Sequence, residues 1–104
     1  MIIKFCKKKK INYAILRYFN IVGASQSGKF GLINKSDHLF KNFSIQVCKK
    51  KPVFKIYGNN YNTPDGTCIR DFIHVSDVSD IHAKVLEKIN NLNKSKILNC
   101  GYGK

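Results

Sequence analysis

The sequence predicts an α/β fold with a few parallel strands, and three observations carry that expectation. Residues 13–19 (YAILRYF) form a short, nearly continuous β-prone run, the pattern of a strand buried on both faces of a parallel sheet. Val78, Ile81, Val85 and Ile89 recur at the 3-4-4 spacing of an amphipathic helix, with Lys84, Glu87 and Lys88 on its other side. Residues 96–100 (KILNC) repeat the β-prone pattern and run into a glycine-rich turn.

Each element can be justified in chain order. Residues 1–9 read as the tail of an amphipathic helix, with Ile2, Ile3, Phe5 and Cys6 apolar and lysines in the last turn, where they complement the helix dipole. That helix has no N-cap residue and looks cut. Arg17 interrupts the strand at 13–19, so one end of it should approach the surface. Residues 20–31 turn polar and glycine-bearing, as expected of a loop opening at the carboxyl end of a strand. Ser36 or Asp37 can cap a helix running from His38 to about Lys50, on which Leu39, Phe43 and Val47 share a face before Pro52 stops it. Residues 53–57 (VFKIY) alternate and predict a strand, and Pro64-Asp65-Gly66 predicts a turn. Residues 68–75 predict a further short strand, after which Ser76 or Asp77 caps the helix of the 3-4-4 stripe. His82 falls beside that stripe and reads as structural. Residues 90–96 read as a polar turn.

Composition narrows the function. The chain has 104 residues, the size of one small domain, and 43% hydrophobic residues are enough for a core. Nineteen basic residues against six acidic ones give a charge of +13. Nearly all are clustered lysines, with Arg17 and Arg70 the only arginines, and the bidentate recognition of bases and phosphates favours arginine, so nucleic acid is not the expected partner. Four widely spaced cysteines, without a C-x-x-C pair, indicate neither a metal site nor a redox motif. No apolar run reaches the roughly 18 residues of a membrane span, and the amino terminus has the reverse order of a signal peptide, which makes cytoplasm the expected location.

The densest stretch is 57–75, YGNNYNTPDGTCIRDFIHV, which is polar and turn-rich in its first half and apolar in its second. Ser76, His74 and Asp77 are sequence neighbours without a strained-turn motif, so a hydrolytic triad is not indicated, and no P-loop spacing occurs. The residues converge instead on an anion site. Arg70, Asn20 and the amides at the start of the His38 helix could hold phosphate oxygens, with Tyr57 flanking a base. Two simpler roles stay open: Asn20 capping a turn, and Arg70 pairing with Asp71.

The segments LRYFNIVGAS, SDHLF, IYGNNYNTPDGTCIRDFIHVSDVSDIHA and LNCGYGK, in that order and spacing, resemble the second half of the UDP-glucose 4-epimerase family, extended short-chain dehydrogenase/reductases within the NAD-dependent epimerase/dehydratase group. The resemblance implies a partial Rossmann-like fold with part of a substrate-binding lid. Residues 1–31 would end the dinucleotide-binding part, 32–96 would form the substrate-binding region, and 97–104 a truncated final strand and glycine loop. It implies NAD as cofactor, a UDP-sugar as substrate and a homodimer in the intact family member. Tyr18 and Phe19 would line the nicotinamide end of the NAD pocket. Asn20 and Arg70 would contact the substrate diphosphate together with the His38 and Leu39 amides, and Lys55 and Tyr57 would run along the uracil. The segment 31–37 is shorter than the family's acidic stretch, and Phe72 stands where tyrosine is usual. The family's G-x-x-G-x-x-G and Y-x-x-x-K motifs would lie upstream of Met1, so the chain is expected to be a fragment, with no catalytic residue of its own and inactive alone. The other readings are an enzyme for a different nucleotide sugar in the same family, and a small basic anion- or nucleic-acid-binding module.

Overall fold

The computed structural model describes residues 1–33, 37–89, 91 and 95–103. Its elements follow in the order α1 (Ile2–Lys9), β1 (Ala14–Tyr18), β2 (Asn20–Val22), α2 (Leu39–Val47), β3 (Phe72–His74), α3 (Val75–Ile89) and β4 (Lys96–Cys100). The α/β expectation holds, and every strand pair is parallel. β1 pairs β4 from Ala14 opposite Lys96 to Tyr18 opposite Cys100, and β2 pairs β3 from Asn20 opposite Phe72 to Val22 opposite His74. Two two-stranded sheets result, and α3 packs across both.

The core sits where the sheets meet that helix. Ile73 of β3, Val78 of α3 and Cys100 of β4 are buried together, and Leu16, Ile21 and Ile81 pack against them. The 3-4-4 stripe of α3 therefore faces inward where it starts, with Ile81, Val85 and Ile89 half-buried behind Val78. His82, one position off the stripe, bonds the Val78 carbonyl through Nδ1 at 2.8 Å, a structural role.

α1 matches its expected extent. Lysines fill its last turn, and Lys10 closes it in the left-handed region at φ 53°, its amide returning to the Lys7 carbonyl. Its side chains bury little beyond Cys6.

Five local expectations are corrected. Residues 20–22 form β2 instead of opening a loop; the three residues are held by a partner 52 positions away, which periodicity along the chain cannot reveal. Residues 53–57 form no strand, because no second strand lies alongside them among the described residues; they hang on α2 through the Val53 amide to Gln46 Oε1 (3.3 Å) and a stacked Phe43–Phe54 pair at 4.9 Å. The strand expected at 68–75 shrinks to Phe72–His74, the part that meets β2. The His38 helix ends at Val47, with His38 as its N-cap residue and no side-chain capping bond from it, while Ser36 lies outside the described residues. α3 starts one residue before Ser76. His74 caps it, its Nδ1 accepting the Ser76 amide at 3.2 Å, so Ser76 and Asp77 sit in the first turn. Of the turn at 90–96, residues 90 and 92–94 are outside the described residues. β1 is also less covered than a strand buried on both faces, since Arg17 and Tyr18 are exposed.

The core is small for the chain. The radius of gyration is 18.4 Å, where a compact chain of this length has about 13 Å. The exposed area is 9440 Å², against about 6,000 Å² for a folded monomer of this mass.

Gly23 shows how tightly the β2 end is set. It has φ +93°, and a Cβ there would lie 2.2 Å from Nε2 of the His74 ring that caps α3. Gly23→Ala is expected to destabilise by about 2 kcal/mol, from strain and the displaced ring, as read by denaturant unfolding monitored by circular dichroism.

Candidate functional site

The carboxyl ends of the two sheets create two polar loci. In open α/β sheets ligands gather there, because the loops leaving the strands present backbone groups and helix starts. The first locus follows β1 and β4. Here Asp71, one residue before β3, receives four hydrogen bonds. Its carbonyl takes the Asn20 amide at 3.2 Å and Asn20 Nδ2 at 2.9 Å. Its carboxylate takes the Tyr102 amide on Oδ1 at 3.2 Å and the Gly103 amide on Oδ2 at 2.9 Å.

This arrangement ties Asn20 to the residue that follows Arg70 in the chain. The Asn20 side chain spends one N–H on Asp71 and keeps its Oδ1 and second N–H. Arg70 is exposed and, among the described residues, has neither a hydrogen bond nor an ion pair, so all five guanidinium donors are available. The local Arg70–Asp71 ion pair is thereby excluded: Asp71 faces the 101–103 loop. Gly101 is required at this contact, since a Cβ would lie 2.4 Å from Asp71 Oδ2 and 2.6 Å from the Phe19 ring. Tyr102 donates its hydroxyl to Asp77 in the first turn of α3, and that bond raises the phenol above its usual value of 10.0.

The second locus follows β2 and β3, a length of three residues or about 10 Å away. It is an open cleft of about 1170 Å³ between the 22–25 turn, the start of α2 and the start of α3, with His38, Phe40, Lys41, Ser76 and Ser79 on its walls. The first intrahelical bond of α2 runs from the Asn42 amide to the His38 carbonyl, which leaves the amides of Leu39 and Phe40 without intrahelical acceptors. Those donors carry the positive end of the helix dipole.

The residues expected to bind ligand divide accordingly. Asn20 lies at the first locus, bonded to Asp71, and Arg70 directly precedes Asp71 in the chain. His38 lines the cleft at the second, and Leu39 begins the helix beside it. Tyr18 and Phe19, expected on one wall, diverge: the Tyr18 ring lies 6.0 Å from His82 of α3, while Phe19 approaches Gly101. Lys55 and Tyr57 are exposed on the segment beyond α2 and contact none of the other candidates among the described residues. Asp71, His74 and Tyr102 were not singled out as functional. The glycines at 101 and 103 were the available signal, marking a loop whose amides point at an acceptor.

The turn at 61–67 is self-contained. Asp65 accepts the Thr67 amide at 2.9 Å and the Thr67 hydroxyl, while Gly66 at φ +74° brings its carbonyl to the Tyr61 amide. The Thr67 amide is the main reason the Asp65 carboxyl lies below its usual 3.8, with the Thr67 hydroxyl second.

Comparison with known proteins places these features. A family model described as the NAD dependent epimerase/dehydratase family matches residues 1–101. A UDP-glucose 4-epimerase of Azospirillum brasilense is 44% identical over 91 residues, which are 86% of this chain and 26% of that protein. A probable UDP-arabinose 4-epimerase of Oryza sativa subsp. japonica is 39% identical over 111 residues, 100% of this chain and 26% of that protein. The crystal structure of a UDP-glucose 4-epimerase from Stenotrophomonas maltophila, with bound NAD and formylated UDP-arabinopyranose, superposes with a TM-score of 0.88 at 32% identity, over 99% of this chain and 32% of that one. The chain thus spans about a quarter to a third of the length of these relatives.

Two outcomes check this geometry. Asp71→Ala removes the acceptor of two loop amides and should cost about 1–3 kcal/mol in denaturant unfolding, with exchange of the Tyr102 and Gly103 amides accelerating first. The Asp65 titration followed by NMR should have its midpoint below 3.8, and Thr67→Val should return it only part of the way, since the amide bond remains. Because the folded carboxyl is the stronger acid, the stabilisation it gives the turn is present above the unfolded value and is lost as pH falls through the folded one.

Proposed function

The chain belongs to the NAD dependent epimerase/dehydratase family, and on that premise we propose that it forms the diphosphate-facing part of a UDP-glucose 4-epimerase. The observation that carries this reading is the bond from Asn20 Nδ2 to the Asp71 carbonyl, which fastens an amide with spare polar atoms to the residue that follows the exposed Arg70. A diphosphate bears charge on several oxygens. The Arg70 fork suits two of them at once, and a neutral amide beside it accepts or donates without adding charge repulsion.

The α2 start supplies a second anion-binding feature about one short strand away, with the Leu39 and Phe40 amides directed by the helix dipole. Lys55 and Tyr57 are proposed for the uracil side. Among the described residues their segment is fastened to α2 through Val53 and Phe54, so it can follow the base without disturbing the helix.

In such an enzyme NAD supplies the hydride acceptor for the sugar C4. The residues present fit only one end of that cofactor: Phe19 and the 101–103 loop form a small, glycine-bounded surface against Asp71, while the sequence holds no G-x-x-G-x-x-G for the pyrophosphate. Nor does it hold Y-x-x-x-K, whose tyrosine would take the proton from the sugar hydroxyl. The part proposed for this chain is to bind and orient the nucleotide sugar, and as an isolated polypeptide it should turn nothing over.

A second substrate has support within the same family. The rice relative that aligns with the whole chain is a probable UDP-arabinose 4-epimerase, and the residues proposed here contact the UDP portion that both sugars share.

Titration of the purified chain with UDP tests the site. Arg70→Ala should weaken binding by about 1–3 kcal/mol, the cost of a charge-assisted contact, while duplex DNA should not compete at moderate salt. Equal UDP affinity in the variant removes Arg70 from the site. Measurable UDP-glucose to UDP-galactose conversion by the chain alone would overturn the division of labour.

A further inference from the structure

We infer that Tyr102 is a positioning residue for the anion site: its ring, fastened to Asp77, holds the 101–103 loop on the Asp71 carboxylate, and through Asp71 it sets Asn20. What the site binds rests on the reading given above; the fastening rests on the geometry of the loop.

The loop has little else to hold it. Residues 101–103 are Gly-Tyr-Gly, so the Tyr102 ring is its only side chain. Gly103 has φ +71° and open space where a Cβ would stand. Glycine on both sides leaves the backbone many conformers, and the two amides that reach Asp71 must be ordered against that freedom. The ring supplies the restraint. Its hydroxyl donates to Asp77 Oδ2 in the first turn of α3, the helix that packs across both sheets. A phenol donating to a carboxylate makes a charge-assisted bond, stronger than one between neutral groups. The ring is 56% exposed, so its hold on the fold comes through that hydroxyl more than through packing.

From Asp77 the hydrogen bonds form one path to Asn20. The Tyr102 amide reaches Asp71 Oδ1 at 3.2 Å and the Gly103 amide reaches Oδ2 at 2.9 Å. The Asp71 carbonyl in turn receives Asn20 Nδ2 at 2.9 Å, and Arg70 leaves the backbone one residue earlier. Loosening the loop therefore frees Asp71 to turn, and Asn20 with it.

The polar groups around the phenol are Asp77 of α3, Asp71 before β3 and the His74 backbone at the end of β3. The Asp77 bond is the main reason the phenol lies above 10.0; the Asp71 charge adds to the effect and the His74 backbone opposes it. A raised phenol keeps the fastening below the value of a free tyrosine and loses it as pH rises through the folded one.

The test compares the full chain with Tyr102→Phe, which removes the hydroxyl and keeps the ring. Amide exchange at positions 102 and 103 should quicken about three- to tenfold, with the β1–β4 ladder unchanged. The NMR signals of the Asn20 side-chain amide should shift, and UDP affinity should fall about threefold or more as the site loses its ordering. Asp77→Ala should loosen the loop as well. Adding Tyr102→Phe to it should change loop exchange no further, since the two substitutions break one bond. In the unaltered chain the Tyr102 phenol should titrate above 10.0, and in Asp77→Ala its midpoint should fall toward that value.

Unchanged loop exchange in Tyr102→Phe, or a further effect on top of Asp77→Ala, overturns the fastening. A loosened loop with unmoved Asn20 signals, or with undiminished UDP affinity, overturns the positioning role. If the unaltered chain binds no UDP, the nucleotide-sugar reading falls, and the exchange rates and Asn20 signals still decide whether Tyr102 sets the site.

Discussion

Asp71 is the group on which the rest of the arrangement depends. A carboxylate that accepts two backbone amides from a loop 31 and 32 residues away, while its own carbonyl accepts two bonds from Asn20, joins the end of β4, the start of β2 and the start of β3 in one small volume. Glycine at 101 is what allows it, since any side chain would meet the carboxylate and the Phe19 ring. With so few buried apolar residues, polar contacts of long sequence separation carry an unusual share of the tertiary definition. Arg70 benefits directly: its neighbour is held by backbone groups, so its charge is left for something else.

What the sequence made legible was whatever is encoded locally. The α3 stripe, the lysine-ended α1, the strands β1 and β4 and the Asp65 turn all announce themselves through spacing or turn chemistry within a dozen residues. What it hid was encoded by partners far along the chain. β2 is too short to have a periodicity, and it exists because β3 lies beside it. Residues 53–57 have a periodicity and still form no strand, since alternation describes which faces could be buried and not whether a neighbour is there to bond. Asp71 beside Arg70 suggested the nearest opposite charge; its carboxylate instead accepts two loop amides. Residue type and position drew attention to Asn20 and Arg70, while nothing in the sequence drew attention to the wide cleft beside α2, because its walls come from three separate segments.

The proportions of the molecule follow from the same imbalance. Two parallel pairs and one well-seated helix give a core of half a dozen side chains, and the remaining apolar residues of α1, α2 and the 53–57 segment stay at the surface. The family likeness is nonetheless close in three dimensions, with a TM-score of 0.88 over 99% of the chain. The backbone geometry of the family is thus compatible with a chain that covers only a third of such a structure, whereas the burial of a compact domain is not.

A single residue, Phe19, separates β1 from β2, so the chain passes from one sheet to the other without slack. Strand faces alternate with a period of two, and inserting or deleting one residue at that junction would turn Ile21 out of the core and reverse the side on which Asn20 emerges. The 58–67 loop carries no such constraint, being closed on itself by its own hydrogen bonds. Length variation among proteins built on this plan should therefore accumulate in that loop and be almost absent at Phe19, where the count of residues itself sets which face each side chain takes.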